Sequence, residues 1–357
     1  MCVHKKLRSK RLAPVLIKEV TRRCHLAGIF QAIYTVGSVL PTPFSCARYY
    51  HRTINPNKLL DIGFAAVPSG MTKERWAARY KIADQTSTAG LREMQDQDVP
   101  AVGKLLRKYL RRFDMAPRFS DEEIRHVLLS GNGSGGSQRV VWTYVVQDEF
   151  TGAITDMASF YSLPSSVLNS QKHTTLQAAY LFYYATDAAF PQQSEQGSSS
   201  DSSSTAQGAP LVKAMTEDER ALPAWKRGQM TALTQSELND EEGVIAWDHE
   251  SPQVKTRLSR RLTSLISDVM VIAKKEGFDV LNTLTTLDNN LFLNNLSFGP
   301  GDGFLRWYLY NWNARPIAGG MGHRPGEAEL DPAVEAASAK MAKKDWTLGS
   351  GLGVAMV

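Results

Sequence analysis

The 357-residue chain carries 41 lysines and arginines against 36 acids, for a formal net charge of +5, with 43% hydrophobic and 22% charged residues. Such a chain builds a full core, which excludes wholesale disorder, and so mild a basic excess does not mark a nucleic-acid binder. The three cysteines, Cys2, Cys24 and Cys46, argue against a disulfide framework and fit a reducing, cytoplasmic compartment. No apolar run reaches the ~18–20 residues of a membrane span, and the scattered histidines offer no zinc-like pairing, so no metal site is expected.

Residues 1–23 hold eight Lys/Arg and one acid, Glu19. An Arg-rich transit peptide, a solvated basic tract and a chain that begins inside a domain all fit this segment. On the last reading Cys2-Val3-His4 ends a strand and Lys5-Lys6-Leu7-Arg8-Ser9-Lys10-Arg11 forms a basic turn. A helix then opens near Leu12-Ala13-Pro14, with Leu12, Val15, Leu16 and Val20 on one face. Strand and loop follow to Tyr50, punctuated by Pro41 and Pro43, and the polar stretch Thr86-Ser87-Thr88-Ala89-Gly90 reads as a junction. Gly90-Leu91-Arg92-Glu93-Met94 predicts a strand. A helix begins at Asp96-Gln97-Asp98 and buries Val99, Val102, Leu105, Leu106, Tyr109, Leu110 and Phe113. Residues 140–146 and 154–163 are β-branched and aromatic, which predicts neighbouring strands.

The Ser/Gln/Gly-rich residues 192–208 cannot bury enough apolar surface to offset ordering, and an insertion is expected over about 190–255. Order is expected to return with a periodic helix from Leu258 to Ala273, closed by Gly277, then strands at 278–281 and 308–312. The strand–helix alternation gives an α/β class with a mixed sheet.

Arg8, Lys10 and Arg11 stand before a helix N-terminus, where free N–H groups and the helix dipole favour an anion. A solvated basic face is the competing reading. The run Phe298-Gly299-Pro300-Gly301-Asp302-Gly303 lacks the spacing of a phosphate-loop or dinucleotide fingerprint and reads, on its own, as a tight turn. No Gly-x-Ser-x-Gly elbow and no nucleophilic cysteine setting occurs, so a transferase built on this chain would use direct attack by the acceptor.

Several of these segments fall in the order seen in one family. The stretch from Cys2-Val3-His4-Lys5-Lys6-Leu7-Arg8-Ser9-Lys10-Arg11-Leu12-Ala13 to Glu19 resembles the first signature of the N-myristoyltransferases. Ser297-Phe298-Gly299-Pro300-Gly301-Asp302-Gly303 is similar to their second. Ile33-Tyr34-Thr35-Val36-Gly37, Cys46-Ala47-Arg48-Tyr49-Tyr50-His51-Arg52 and Phe160-Tyr161-Ser162-Leu163-Pro164-Ser165 lie between.

The resemblance implies a mixed-sheet, GNAT-like acyltransferase fold in two pseudo-symmetric halves, here a fungal member with its first half incomplete. Residues 1–87 would be the remainder of the acyl-CoA half and 88–357 the peptide half. The family's Asn-Phe-Leu, whose Phe and Leu amides form its oxyanion hole, precedes its Cys-Val-His; here only Met1 stands at the Leu position. The implied activity is transfer of a tetradecanoyl group from myristoyl-CoA, a co-substrate, to the N-terminal glycine amine of proteins; no cofactor is permanently bound. The alternative is an inactive, truncated homologue that binds peptide only. Partners would be myristoyl-CoA and glycine-initiated peptides, with no nucleic acid, and the molecule a cytoplasmic monomer. Cys2, Val3, Arg8, Ser9, Lys10, Arg11, Leu12 and Ala13 would contact acyl-CoA. Tyr34, Tyr49, His51, Ser165, Leu176, Tyr180 and Asp302 would line the peptide groove. Thr35 would hydrogen-bond the acceptor amine, and the α-carboxylate of the last residue, Val357, would be the base. A Gly-rich tail is expected to give that terminus freedom to turn inward.

Overall fold

The computed structural model describes residues 3–36, 40, 43–131, 139–168, 170–190, 244–314, 316–321 and 349–355. In chain order these form α1 (Ala13–Leu26), β1 (Ala32–Val36), β2 (Ser45–Thr53), α2 (Pro56–Asp61), α3 (Lys73–Ala78) and β3 (Leu91–Glu93). There follow α4 (Val99–Leu110), α5 (Asp121–Leu128), β4 (Val141–Gln147), β5 (Ile154–Ser162), β6 (Ser165–Ser166), β7 (Thr175–Leu176) and β8 (Ala178–Thr186). The last elements are α6 (Pro252–Lys275), β9 (Val280–Leu284) and β10 (Gly299–Tyr310). Eight strands make one mixed sheet in the order β1-β10-β2-β9-β8-β5-β4-β3, in which only β8 and β9 run parallel.

The α/β class and mixed sheet follow the sequence reading. The predicted stripe of α4 is buried throughout, from Val99 to Leu110, and Phe113 beyond its end is buried with it. A capping box opens this region: Gln95 and Asp98 each satisfy a backbone N–H of the other. The expected helix near Pro14 is α1, but it buries no side chain; Val15, Leu16 and Val20 are exposed. Val3 and His4 belong to no strand, and the basic turn is a 3-10 helix over Lys5–Lys10.

Three boundaries differ from expectation. The helix expected from Leu258 starts at Pro252, where the Ser251 hydroxyl accepts the Val254 N–H at 3.3 Å. Just before it, Val244 and the side chain of Glu250 are buried, so this stretch is anchored on the body; the Ser-rich 192–208 lie outside the described residues. The strand expected at 278–281 runs Val280–Leu284, because Phe278 still donates its N–H to Ala273 O at 3.0 Å across Gly277, whose φ is +80°. The glycine cluster 299–303 is no turn. It is the first part of β10, whose register against β2 slips between Pro300 and Phe304. Its glycines let two strands approach: a Cβ on Gly301 would lie 2.4 Å from His51 Nε2.

Candidate active site

Side chains alternate across a strand, so register assigns each residue to a face. Following the pairs Thr35–Trp307, Trp307–Ser45, His51–Asn282 and Asn282–Tyr180 puts Thr35, Trp307, Tyr49, His51, Asn282 and Tyr180 on one face of the sheet. In β8 the register slips: Phe160 pairs with Leu181 but Ala158 pairs with Tyr184, so β8 carries one extra residue. As a result the consecutive side chains Phe182 and Tyr183 both reach a cavity of about 640 Å³. Ile33, Tyr34 and Thr35, Leu305 and Trp307, the segment after α4 (Met115, Ala116, Pro117, Phe119), Val127, Trp312, Val354 and Ala355 complete its walls.

Residues 349–355 form a late-arriving wall. Ser350 bridges Gly319, and Leu352 bridges Met115 in parallel. Met115 N–H donates to Gly351 O at 3.1 Å, Gly353 N–H to Met115 O at 2.7 Å, and Leu287 N–H to Leu352 O at 2.8 Å. A Cβ on Gly351 would sit 2.1 Å from Asp114 Oδ2, and one on Gly353 2.8 Å from the Ala116 Cβ. This corrects the expected role of these glycines. They provide close approach, not freedom, since the tail is held between packed backbones. The Tyr183 hydroxyl is hydrogen-bonded to the Ala355 backbone, while burial pushes its pKa up.

The predicted groove residues divide as follows. Thr35 is exposed at the cavity rim. Tyr34 beside it also lines the cavity, while its ring stacks on Tyr308 at 5.5 Å. Tyr180 stacks on Tyr161 at 5.3 Å, and burial raises the pKa of both and of Tyr49, so these phenols stay neutral donors and acceptors. His51 Nδ1 sits 2.7 Å from Asn282 Oδ1. An amide oxygen only accepts, so Nδ1 donates in this contact, and Nε2 lies toward Gly301. Leu176 is buried with Leu59 and Val280 and packs near Tyr180; Ser165, paired with it across the β6–β7 ladder, is exposed. Asp302 is exposed within the β10 slip, between the two glycines that meet His51 and Tyr49.

On the acyl-CoA side, Arg8 and Ser9 belong to the 3-10 helix, Lys10, Arg11 and Ala13 are exposed, and Val3 and Leu12 are half-buried. Cys2 and Val357 lie outside the described residues. Arg11 stands at φ +52°, the left-handed conformation that favours glycine. The first turn of α1 has no side-chain cap, no acid, and Pro14 in place, so its N–H groups and positive end are open to an anion. No hydrogen bond or ion pair among the described residues ties Lys10 or Arg11 to the cavity.

Asn282, Trp307, Phe182 and the 115–119 segment escaped the sequence reading. Bulges and chain reversals leave no periodic trace in a sequence. Of the cavity-lining side chains, none is a carboxylate, histidine or lysine, and no cluster among the described residues is fit to hold a metal ion. The cavity can desolvate an apolar or small polar group beside Thr35, but its side chains supply no general base.

The family model for the C-terminal domain of Myristoyl-CoA:protein N-myristoyltransferase matches residues 61–220 and 233–334, and that for the N-terminal domain matches residues 1–47. The chain belongs to this family. A glycylpeptide N-tetradecanoyltransferase of Mycosarcoma maydis is 56% identical over 356 residues, which cover 96% of this chain and 50% of that protein. The Schizosaccharomyces pombe enzyme of the same name is 43% identical, over 90% of this chain and 56% of its own. A crystal structure of Saccharomyces cerevisiae N-myristoyltransferase with bound myristoyl-CoA superposes with a TM-score of 0.74 at 35% identity, covering 100% of this chain and 64% of that one. The chain thus spans about half the length of the curated N-myristoyltransferases it matches. No helix of the described residues is long and apolar enough to cross a membrane.

Proposed function

We propose that this chain seats the N-terminal glycine of a protein in the aromatic cavity and directs a tetradecanoyl group from myristoyl-CoA, its co-substrate, onto the glycine amine. The carrying observation is the convergence of Thr35 with Val354 and Ala355 on a cavity whose side chains include no base. A peptide ammonium must lose a proton before it attacks a thioester, and Val357 follows Ala355 by two residues. Its α-carboxylate, ionised at neutral pH, is the proposed base, and the Thr35 hydroxyl holds the amine. Attack is direct, without an acyl-enzyme.

Tyr34, Tyr49, His51, Ser165, Leu176, Tyr180 and Asp302 are the proposed peptide contacts. The open start of α1 with Arg8, Lys10 and Arg11 is the proposed pyrophosphate site, Cys2, Val3, Ser9, Leu12 and Ala13 completing it. In this scheme residues 1–87 serve mainly acyl-CoA and 88–357 mainly the peptide, with Tyr34, Thr35, Tyr49 and His51 reaching across to the peptide, in a cytoplasmic monomer with no resident metal. The test is mass spectrometry of a glycine-initiated peptide incubated with the chain and myristoyl-CoA, with the N-acetylated peptide as control. Acylation of the free amine alone is expected. Calorimetry that finds no binding of the free peptide, together with no acylation, would sink the proposal.

A further inference from the structure

The tail that forms the cavity's last wall is gripped from two sides. One jaw is the segment after α4, where Met115 exchanges two backbone hydrogen bonds with Gly351 and Gly353. The other is Leu287, which donates to Leu352 and adopts a strained φ of +54°. Beneath the jaws lies a buried polar cluster that the proposed chemistry does not use. Arg112, 1% exposed, gives Nη1 to Asp288 Oδ2 at 2.8 Å and Nε to Glu250 Oε1 at 2.5 Å. Its plane lies over the Tyr109 ring, 4.5 Å from the centroid, and the Tyr109 hydroxyl donates to the same Asp288. The Asp288 N–H in turn donates to the Tyr184 hydroxyl at 3.0 Å. Arg112 precedes the first jaw by three residues, and Asp288 adjoins Leu287 in the second. Glu250 brings in a third segment, whose Trp247 N–H donates to Arg112 O and whose Trp247 ring lies where a Cβ on Gly349 would fall, 2.6 Å away.

We infer that Arg112 is a positioning residue for the segment 349–355: through Asp288 and Glu250 it joins the segments that clasp residues 349–353 and so sets where Val354 and Ala355 enter the cavity. A buried charge of this kind is not explained by stability alone, because apolar replacement of buried ion pairs is often neutral. What the planar fork provides is a fixed geometry between three segments distant in sequence. Lysine keeps the charge but cannot hold two carboxylates on separate edges.

The consequence for acyl transfer rests on the terminal-carboxylate reading above; the placement of the tail does not. The test is hydrogen exchange of the whole chain in Arg112→Lys and Asp288→Asn. The amides of Gly353, Met115 and Leu287 should exchange at least about tenfold faster, with those of β5 and β8 unchanged, as expected for a local opening. No acceleration at Gly353, or an equal acceleration in the central strands, overturns the inference. If neither variant folds, Glu250→Gln is measured against the same internal reference, with Gly351 and Gly353 expected to open first. Faster tail exchange with an unchanged single-turnover rate of acyl transfer to a glycine-initiated peptide would leave the clasp standing and count against the carboxylate reading alone.

Discussion

Gly353 gives its N–H to Met115 while its α-carbon faces Phe113 and Ala116, so a methyl group there has nowhere to go. A Cβ would lie 2.9 Å from both Phe113 Cβ and Phe113 Cδ2, inside a packed wall. We expect Gly353→Ala to cost about 1–3 kcal/mol, the range for overpacking, in urea unfolding. Gly63→Ala is the control: its φ is +70° and no atom lies within 4 Å of a Cβ there. That change should cost only the backbone strain, about 1 kcal/mol. Equal midpoints for the two variants would show that the tail gives way, not the protein.

The start of α4 shows how an element depends on one carboxylate. Asp98 receives Arg92 Nη1 at 2.7 Å and Nη2 at 2.8 Å, and also the Gln95 N–H at 2.8 Å. The Arg92 hydrogen bonds hold its pKa below the usual carboxylate range, against the opposing effect of burial. A carboxyl depressed on folding stabilises above its unfolded pKa and loses that contribution as pH falls through the folded value. The window therefore opens at about pH 4 and extends downward. Asp98→Asn should be less stable at neutral pH and show a flatter acid limb there; a parallel acid limb would assign the acid sensitivity to other groups. Such helices were legible because apolar spacing and capping residues are local signals, as α4 and α6 show. The start of β10 was not, because Gly299-Pro300-Gly301-Asp302-Gly303 has a loop's composition, and only its pairing with β2, Gly299 to His51 and Pro300 to Tyr50, makes it a strand. The β8 slip that turns Phe182 and Tyr183 into the cavity likewise depends on β5 beside it. Thr35 was legible only through the resemblance, since nothing in its neighbourhood distinguishes it from another strand threonine.

Across the whole molecule, order of packing falls from one edge to the other. The largest apolar cluster links α4, α6 and strands β4, β5 and β8, whereas α1 buries no side chain and β1 is exposed along nearly its whole length. Local opening follows burial, so the amides of α1 should exchange orders of magnitude faster than those of β5 and β8. Uniform protection by mass-spectrometric exchange would mean that α1 is covered in solution. The clasped tail bears on time as well as on space. Met115 and Leu287 are both made before Leu352, and a chain folds from its N-terminal side as it is synthesised. The sheet and helices can close while the cavity still lacks a wall, and the enclosed space exists only once residues 349–355 have threaded between the two jaws. Competence to bind would then begin only after residues 349–355 have been made, and any event that delays that threading would leave a folded body with no finished site.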